Sequence, residues 1–234
     1  MAANENSFGP SPRVREALGA FDQYHYHPDY GELKEAVARY AGTTPGQVVL
    51  GNGGDDLIDL LVRLFAAPGD GVVTCPPTFS MYRFCALVNR CEVLAVPKDD
   101  DLSLDVTAVE EAVRRALGQT GGQRGGGPRI LFIVSPGNPT GRAVPLEAIE
   151  RLLSLPLAVV VDEAYVEFGG ESAVEMLSEH ENLVILRTLS KWAGMAGLRL
   201  GYALLAPRLV EALECIRLPY NVNAAAMVAA LATF

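Results

Sequence analysis

Between residues 47 and 205 the chain alternates short apolar runs with longer segments of helical periodicity, and that alternation most narrows what it can fold into. The runs at 47–50, 71–75, 92–96, 129–134, 157–161, 183–186 and 200–205 read as strands. Several are continuously apolar, as in Ile130-Leu131-Phe132-Ile133-Val134 and Val159-Val160-Val161, which suits strands covered on both faces. Helical candidates fall at 55–65, 79–89, 105–117, 145–154 and 207–216. The succession predicts an α/β chain with a mainly parallel sheet flanked by helices. In an open sheet of this kind ligands gather beyond the C-terminal ends of the strands. The segments that follow the strands are therefore the ones to read for chemistry.

Ahead of this pattern, Ser11 between Pro10 and Pro12 is a candidate N-cap for a short helix running through Leu18. Leu33, Val37 and Tyr40 then recur at helical spacing, with Gly42 as the C-cap. The stretch 118–127, almost entirely Gly, Gln and Thr, reads as a flexible surface loop within one domain. The net charge of -9 disfavours nucleic acid and anionic membranes as partners and leaves small metabolites. Cys75, Cys85, Cys91 and Cys215 form no C-x-x-C pair and have no histidines at metal-ligand spacing, so they read as reduced structural thiols. No apolar run approaches the roughly 20 residues that span a bilayer, and residues 1–6 lack the basic and apolar regions of a signal peptide. The expectation is a cytoplasmic chain.

Five segments at strand ends carry the functional candidates. Lys191, the only lysine after Lys98, lies among small and apolar residues just beyond the run at 182–186, with Thr188 and Ser190 beside it. It is either a solvated lysine at a turn or a desolvated Schiff-base nucleophile. Gly51-Asn52-Gly53-Gly54 leads from a strand into a helix that begins at Asp55. Such a turn is either plain punctuation or a seat for phosphate, since unpaired N–H groups and the helix dipole converge there. Phe79 and Asn138 sit in the turns after the runs at 71–75 and 129–134, offering an aromatic face and a side-chain amide. Asp162, followed by Tyr165, leaves a carboxylate at the mouth of a hydrophobic strand, a costly position unless it meets a cation or a strong donor. A lysine for an aldehyde and an acid for a pyridine nitrogen are the recurring pair of pyridoxal-phosphate enzymes. His25 and His27, beside tyrosines in a polar loop, read as solvated histidines.

The ordered motifs Asn4-Glu5-Asn6-Ser7-Phe8-Gly9-Pro10, Gly51-Asn52-Gly53-Gly54-Asp55, Pro76-Pro77-Thr78-Phe79-Ser80-Met81-Tyr82, Ser135-Pro136-Gly137-Asn138-Pro139-Thr140-Gly141, Asp162-Glu163-Ala164-Tyr165, Arg187-Thr188-Leu189-Ser190-Lys191 and Gly197-Leu198-Arg199-Leu200-Gly201-Tyr202 resemble those of the fold-type I aminotransferases. Within that family the chain is most similar to the histidinol-phosphate subgroup, which the ending Arg217-Leu218-Pro219-Tyr220-Asn221-Val222-Asn223 also fits. The resemblance covers essentially the whole chain. It implies a seven-stranded-type large domain over 31–234, with residues 1–30 as an N-terminal arm at a homodimer contact. It implies pyridoxal 5'-phosphate as cofactor, with Lys191 bonding its aldehyde and moving the substrate proton. Asp162 would pair with the ring nitrogen, Asn138 and Tyr165 with the phenolic oxygen, and Phe79 with the ring face. Thr188, Ser190, Arg199 and the backbone at Gly54 and Asp55 would hold the phosphate.

The implied reaction is transamination from L-histidinol phosphate to 2-oxoglutarate. Threonine-phosphate decarboxylation, aromatic amino-acid transamination and an inactive cofactor-binding fragment are the alternatives. In Tyr24-His25-Tyr26-His27-Pro28-Asp29, simple alignment puts His25 at the position of the family's tyrosine that reaches the partner subunit's site, with Tyr24 and Tyr26 on either side, and of the three Tyr24 is taken. Phe8 and Phe79 stand where relatives often have tyrosine. The family's chain runs well past residue 234 into a small C-terminal domain that carries substrate-binding arginines. The expectation is a chain truncated there and also at its N-terminus.

Overall fold

The computed structural model describes residues 4–119 and 126–234. The core of the Gly-rich stretch, residues 120–125, lies outside them. In chain order, helices α1 (Pro12–Ala20) and α2 (Gly31–Ala41) precede strand β1 (Val48–Gly51) and helix α3 (Gly54–Phe65). Strand β2 (Gly71–Thr74), helix α4 (Met81–Val88), strand β3 (Glu92–Ala95) and helix α5 (Val106–Gln119) follow. Strand β4 (Pro128–Val134), helix α6 (Leu146–Leu153), strand β5 (Ala158–Asp162) and strand β6 (Leu183–Thr188) come next, then strand β7 (Gly201–Leu205) and helices α7 (Pro207–Glu214) and α8 (Ala224–Leu231).

The strands form one seven-stranded sheet in the order β1-β7-β6-β5-β4-β2-β3. Strands β3, β2, β4, β5 and β6 are parallel, as their apolar character predicts. Strand β7 is the exception, running antiparallel to both β1 and β6. That reversal has a consequence for the site. Gly201 is the register partner of Gly51 on one side and of Thr188 on the other, so the glycine turn, the hydroxyl-bearing end of β6 and the approach to β7 meet at one place.

Side chains alternate across the sheet. Ile130, Phe132, Val160 and Val184 pack with Leu57 and Leu61 of α3, Tyr82 of α4 and Leu213 of α7. Leu131, Ile133, Val159, Val161 and Ile185 pack with Val37 of α2, Val109 of α5, Leu152 of α6 and Ala229 of α8. Each fully buried aliphatic side chain among them contributes roughly 2 kcal/mol from removal of apolar surface. Helix α3 shows why the sequence folds this way locally: Leu57, Ile58, Leu60 and Leu61 are buried, while Asp59 and Arg63 pair at i,i+4 on the wet face.

Some local expectations are corrected. Ser11 occupies the N-cap position of α1, but its side chain makes no capping hydrogen bond; Pro12 at the first helical position starts the helix. The run ending at 186 extends through Thr188, because Arg187 and Thr188 keep their register with β7. Gly54 is already helical, so the turn proper ends at Gly53, whose φ of 84° favours glycine. Gly42 does close α2 in the left-handed region, with φ 74°.

Candidate functional site

A cavity of about 680 Å³ opens beyond the C-terminal ends of the parallel strands. Gly54, Asp55, Phe79, Asn138, Asp162, Tyr165, Thr188, Ser190, Lys191 and Arg199 all line it. These residues come from six separate segments, and the sheet register assembles them. Asp162 ends β5 beside Val134 of β4 and Leu186 of β6, which places the turns carrying Asn138 and Lys191 on either side of the acid. Tyr24 is elsewhere. Its ring is 64 % exposed and packs edge-on against Phe21, with centroids 4.7 Å apart.

Asp162 is buried, at 7 % exposure. Its Oδ2 accepts a hydrogen bond of 2.6 Å from the Tyr82 hydroxyl and its Oδ1 one of 3.0 Å from the Ala164 amide. Burial raises its pKa above the ordinary aspartate value, against the pull of these two donors, and the neighbouring charges that act on it, Glu163 and Asp55, are acidic and push the same way. Tyr82 is fully buried and stacks on Phe132 with centroids 4.7 Å apart. Its hydroxyl is held protonated, well above the ordinary tyrosine range, by burial and then by the Asp162 charge. A cationic N–H placed against Asp162 would offset the cost of burying that carboxylate.

Lys191, half-buried, stands with its Nζ 5.8 Å from the centre of the Tyr165 ring. The Tyr165 hydroxyl accepts a 3.0 Å hydrogen bond from the Asn4 side-chain amide, which leaves the phenol's own proton to be donated. Phe79, at the wall, meets Tyr82 edge-on, with centroids 5.7 Å apart. Asn4, Asn138, Pro139 and Tyr165 are shared with an adjoining concavity of about 440 Å³.

The opposite end of the cavity is suited to an anion. The twelve-residue helix α3 presents its first amides at Gly54 and Asp55. Thr188 Oγ1 donates to Ser190 Oγ at 2.9 Å and accepts from the Ser190 amide at 3.1 Å, fixing both hydroxyls at the same edge. Arg199, in the left-handed region at φ 55°, pairs with Asp55 at 3.0 Å. Its guanidinium lies so close over Gly53 that a Cβ there would come within 2.6 Å of Nη2. The Asp55 side chain thus turns toward Arg199, and its backbone amide remains at the helix end.

The chemistry of this donor set fits pyridoxal phosphate: an amine for an aldehyde, a buried acid for a ring nitrogen, an aromatic wall, and a helix end with hydroxyls and a guanidinium for a phosphate. Motif reading did not assign Tyr82 as the donor to Asp162, nor Asn4 as the donor to Tyr165, because those pairs lie 80 and 161 residues apart. It also missed Arg187, which lines the cavity and pairs at 2.9 Å with the fully buried Glu163.

The family model described as "Aminotransferase class I and II" matches residues 1–234. The histidinol-phosphate aminotransferase of Dehalococcoides mccartyi (strain CBDB1) is 45 % identical over 97 % of this chain and 61 % of its own length. The chloroplastic histidinol-phosphate aminotransferase of Nicotiana tabacum is 45 % identical over 99 % of this chain and 54 % of its own. The crystal structure of histidinol-phosphate aminotransferase from Sinorhizobium meliloti in complex with pyridoxal-5'-phosphate superposes with a TM-score of 0.87 at 31 % identity, covering 99 % of this chain and 63 % of that one. The chain thus spans about three fifths of the length of the curated relatives it matches.

Proposed function

This chain belongs to the class I and II aminotransferases, and from that premise we propose that its cavity binds pyridoxal 5'-phosphate and serves amino transfer from L-histidinol phosphate to 2-oxoglutarate, in histidine biosynthesis. The observation that carries the reading is the meeting of Lys191 and the buried Asp162 in one cavity. The shared name of the curated relatives supports the choice of donor.

When bound, the cofactor supplies an aldehyde that takes up the donor's amine and a ring that draws electrons from its α-carbon. Asp162 holds the proton on the ring nitrogen, with Tyr82 and the Ala164 amide fixing both of its oxygens. Asn138 and the proton of the Tyr165 hydroxyl bind the phenolic oxygen, and Phe79 covers the ring face. The amides at Gly54 and Asp55, with Thr188, Ser190 and Arg199, bind the phosphate. Lys191 Nζ would take the proton from the donor's α-carbon and give it up to the cofactor's aldehyde-derived carbon, acting first as base and then as acid, so no second general base is required.

The same reading makes the protein a cytoplasmic homodimer, with residues 1–30 as an arm at the dimer contact and Tyr24 reaching the partner's cavity. The exposure of Tyr24 supports its availability for that contact. No helix among the described residues is long and apolar enough to cross a membrane.

Purified protein given pyridoxal phosphate should develop a visible absorbance band, and Lys191→Ala should abolish it. No band in the wild type, or an unchanged band in the variant, overturns the reading. Turnover of histidinol phosphate measured against threonine phosphate and phenylalanine checks the donor.

A further inference from the structure

The segment 217–223 has no place in the chemistry above, since none of its residues lines the cavity. Its side chains nevertheless reach both loops that form the anion end. The Asn221 amide accepts a 2.5 Å hydrogen bond from Arg217 Nη1 through Oδ1. Through Nδ2 it donates to the Leu50 carbonyl at 3.2 Å and to Asp56 Oδ2 at 3.0 Å. Asp56 Oδ2 in turn accepts from the Asn52 amide at 2.8 Å, closing the glycine turn onto the first turn of α3. The orientation of the Asn221 amide is fixed by its neighbours, because a flip would set its NH2 against a guanidinium and its oxygen against a carbonyl and a carboxylate.

Behind Asn221 the chain of contacts continues without a break. Arg217 bonds Glu214 at 2.6 Å, and Glu214 bonds Lys34 of α2 at 2.8 Å. Two residues further on, Asn223 caps α8 by accepting from the Ala226 amide at 2.8 Å, and its Nδ2 donates at 3.3 Å to the Leu198 carbonyl, immediately before Arg199. Between the two asparagines, Val222 is pinned by the Tyr30 hydroxyl, which donates to its carbonyl at 2.6 Å and accepts from its amide at 3.2 Å.

We propose that Asn221 and Asn223 are positioning residues for the phosphate end of the cavity: Asn221 sets the turn that presents the Gly54 and Asp55 amides, and Asn223 sets the loop that presents Arg199. The two loops come from distant parts of the sequence, and one short segment braces both. The proposal rests on the reading of the cavity as a pyridoxal-phosphate site, and it assigns neither asparagine any contact with the cofactor.

The test is the affinity of the full chain, stripped of cofactor, for pyridoxal phosphate and for pyridoxal, which lacks the phosphate. Asn221→Asp keeps the volume and the bond to Arg217 but turns an oxygen toward Leu50 and Asp56. Asn223→Ser keeps a good helix cap and removes the donor to Leu198. Each variant should bind pyridoxal phosphate about ten-fold more weakly than the wild type and bind pyridoxal as before, because only the phosphate uses the braced loops. Equal losses for both ligands, or no loss for either, overturn the proposal. If Asn221→Asp does not fold, Asn223→Ser alone decides by the same ratio. A wild type that binds pyridoxal phosphate no better than pyridoxal refutes the phosphate site itself, a result separate from any difference between variant and wild type.

Discussion

The Tyr82 hydroxyl lies 2.6 Å from Asp162 Oδ2, and both groups are buried. This hydrogen bond sets the acid of the cavity against the burial that would otherwise neutralise it. Tyr82→Phe keeps the ring that stacks on Phe132 and removes only the donor. A hydrogen bond to a charged group that leaves its acceptor unsatisfied costs about 2 kcal/mol when lost. Urea denaturation of the variant should show a loss of that size, and pyridoxal phosphate should bind it more weakly. An unchanged affinity would remove Tyr82 from the cofactor site.

Asp162 also makes stability depend on pH. Burial raises its folded-state pKa above the ordinary 3.8, so over the interval between them the folded chain holds a proton that the unfolded chain has released. The stability this contributes is fully present below the unfolded pKa and is lost as pH rises through the folded one. Asp162→Asn cannot titrate. The stability of wild type relative to Asp162→Asn should therefore fall as pH rises above 3.8, read from denaturation midpoints across a pH series. Parallel curves would show that the carboxyl titrates alike in both states.

The buried pair of Glu163 and Arg187 is predicted to be costly to break from one side. Glu163 Oε1 accepts from the Ala173 amide at 2.7 Å, and Oε2 accepts from Ser172 Oγ at 2.9 Å and from Arg187 Nε at 3.0 Å. Glu163→Gln leaves a guanidinium without its counter-charge at the cavity wall, at a cost of about 3 kcal/mol. The pair Glu163→Gln with Arg187→Met should recover part of that loss. A double variant as unstable as the sum of the two singles would disprove the coupling.

Gly201 tests how closely the two loops of the anion end are packed. A Cβ there would fall 2.9 Å from both the Gly53 carbonyl carbon and the Gly54 nitrogen, which are backbone atoms and cannot swing aside. Gly201→Ala should cost about 1–3 kcal/mol in thermal or chemical denaturation. It should also weaken pyridoxal phosphate binding by displacing the turn. Wild-type stability and affinity in this variant would contradict the close approach.

The layered α/β architecture was legible from periodicity because burial on both faces leaves a strand continuously apolar, as at 130–134 and 159–161. The antiparallel course of β7 was not, since Gly201–Leu205 is as apolar as its parallel neighbours and direction leaves no trace in composition. The cavity-lining residues were legible for a different reason. Lys191, Asn138 and Phe79 each follow a strand and Asp162 is the last residue of one, and the C-terminal ends of parallel strands share one edge. Tyr82 gave no such signal, because an aromatic at a buried helical position reads as core until its hydroxyl is seen against an acid.

By itself, then, the sequence determined the succession of strands and helices, the family, and the chemical types available at each strand end, all of which depend on local residue order. The tertiary structure decided which of those groups meet. The register of Gly201 between Gly51 and Thr188, the donor from Tyr82 to Asp162, and the two asparagines behind the glycine turn and the Arg199 loop are contacts across long stretches of chain. Such contacts are fixed by packing and by the need to satisfy buried polar groups, and neither is written in the spacing of residues along the chain.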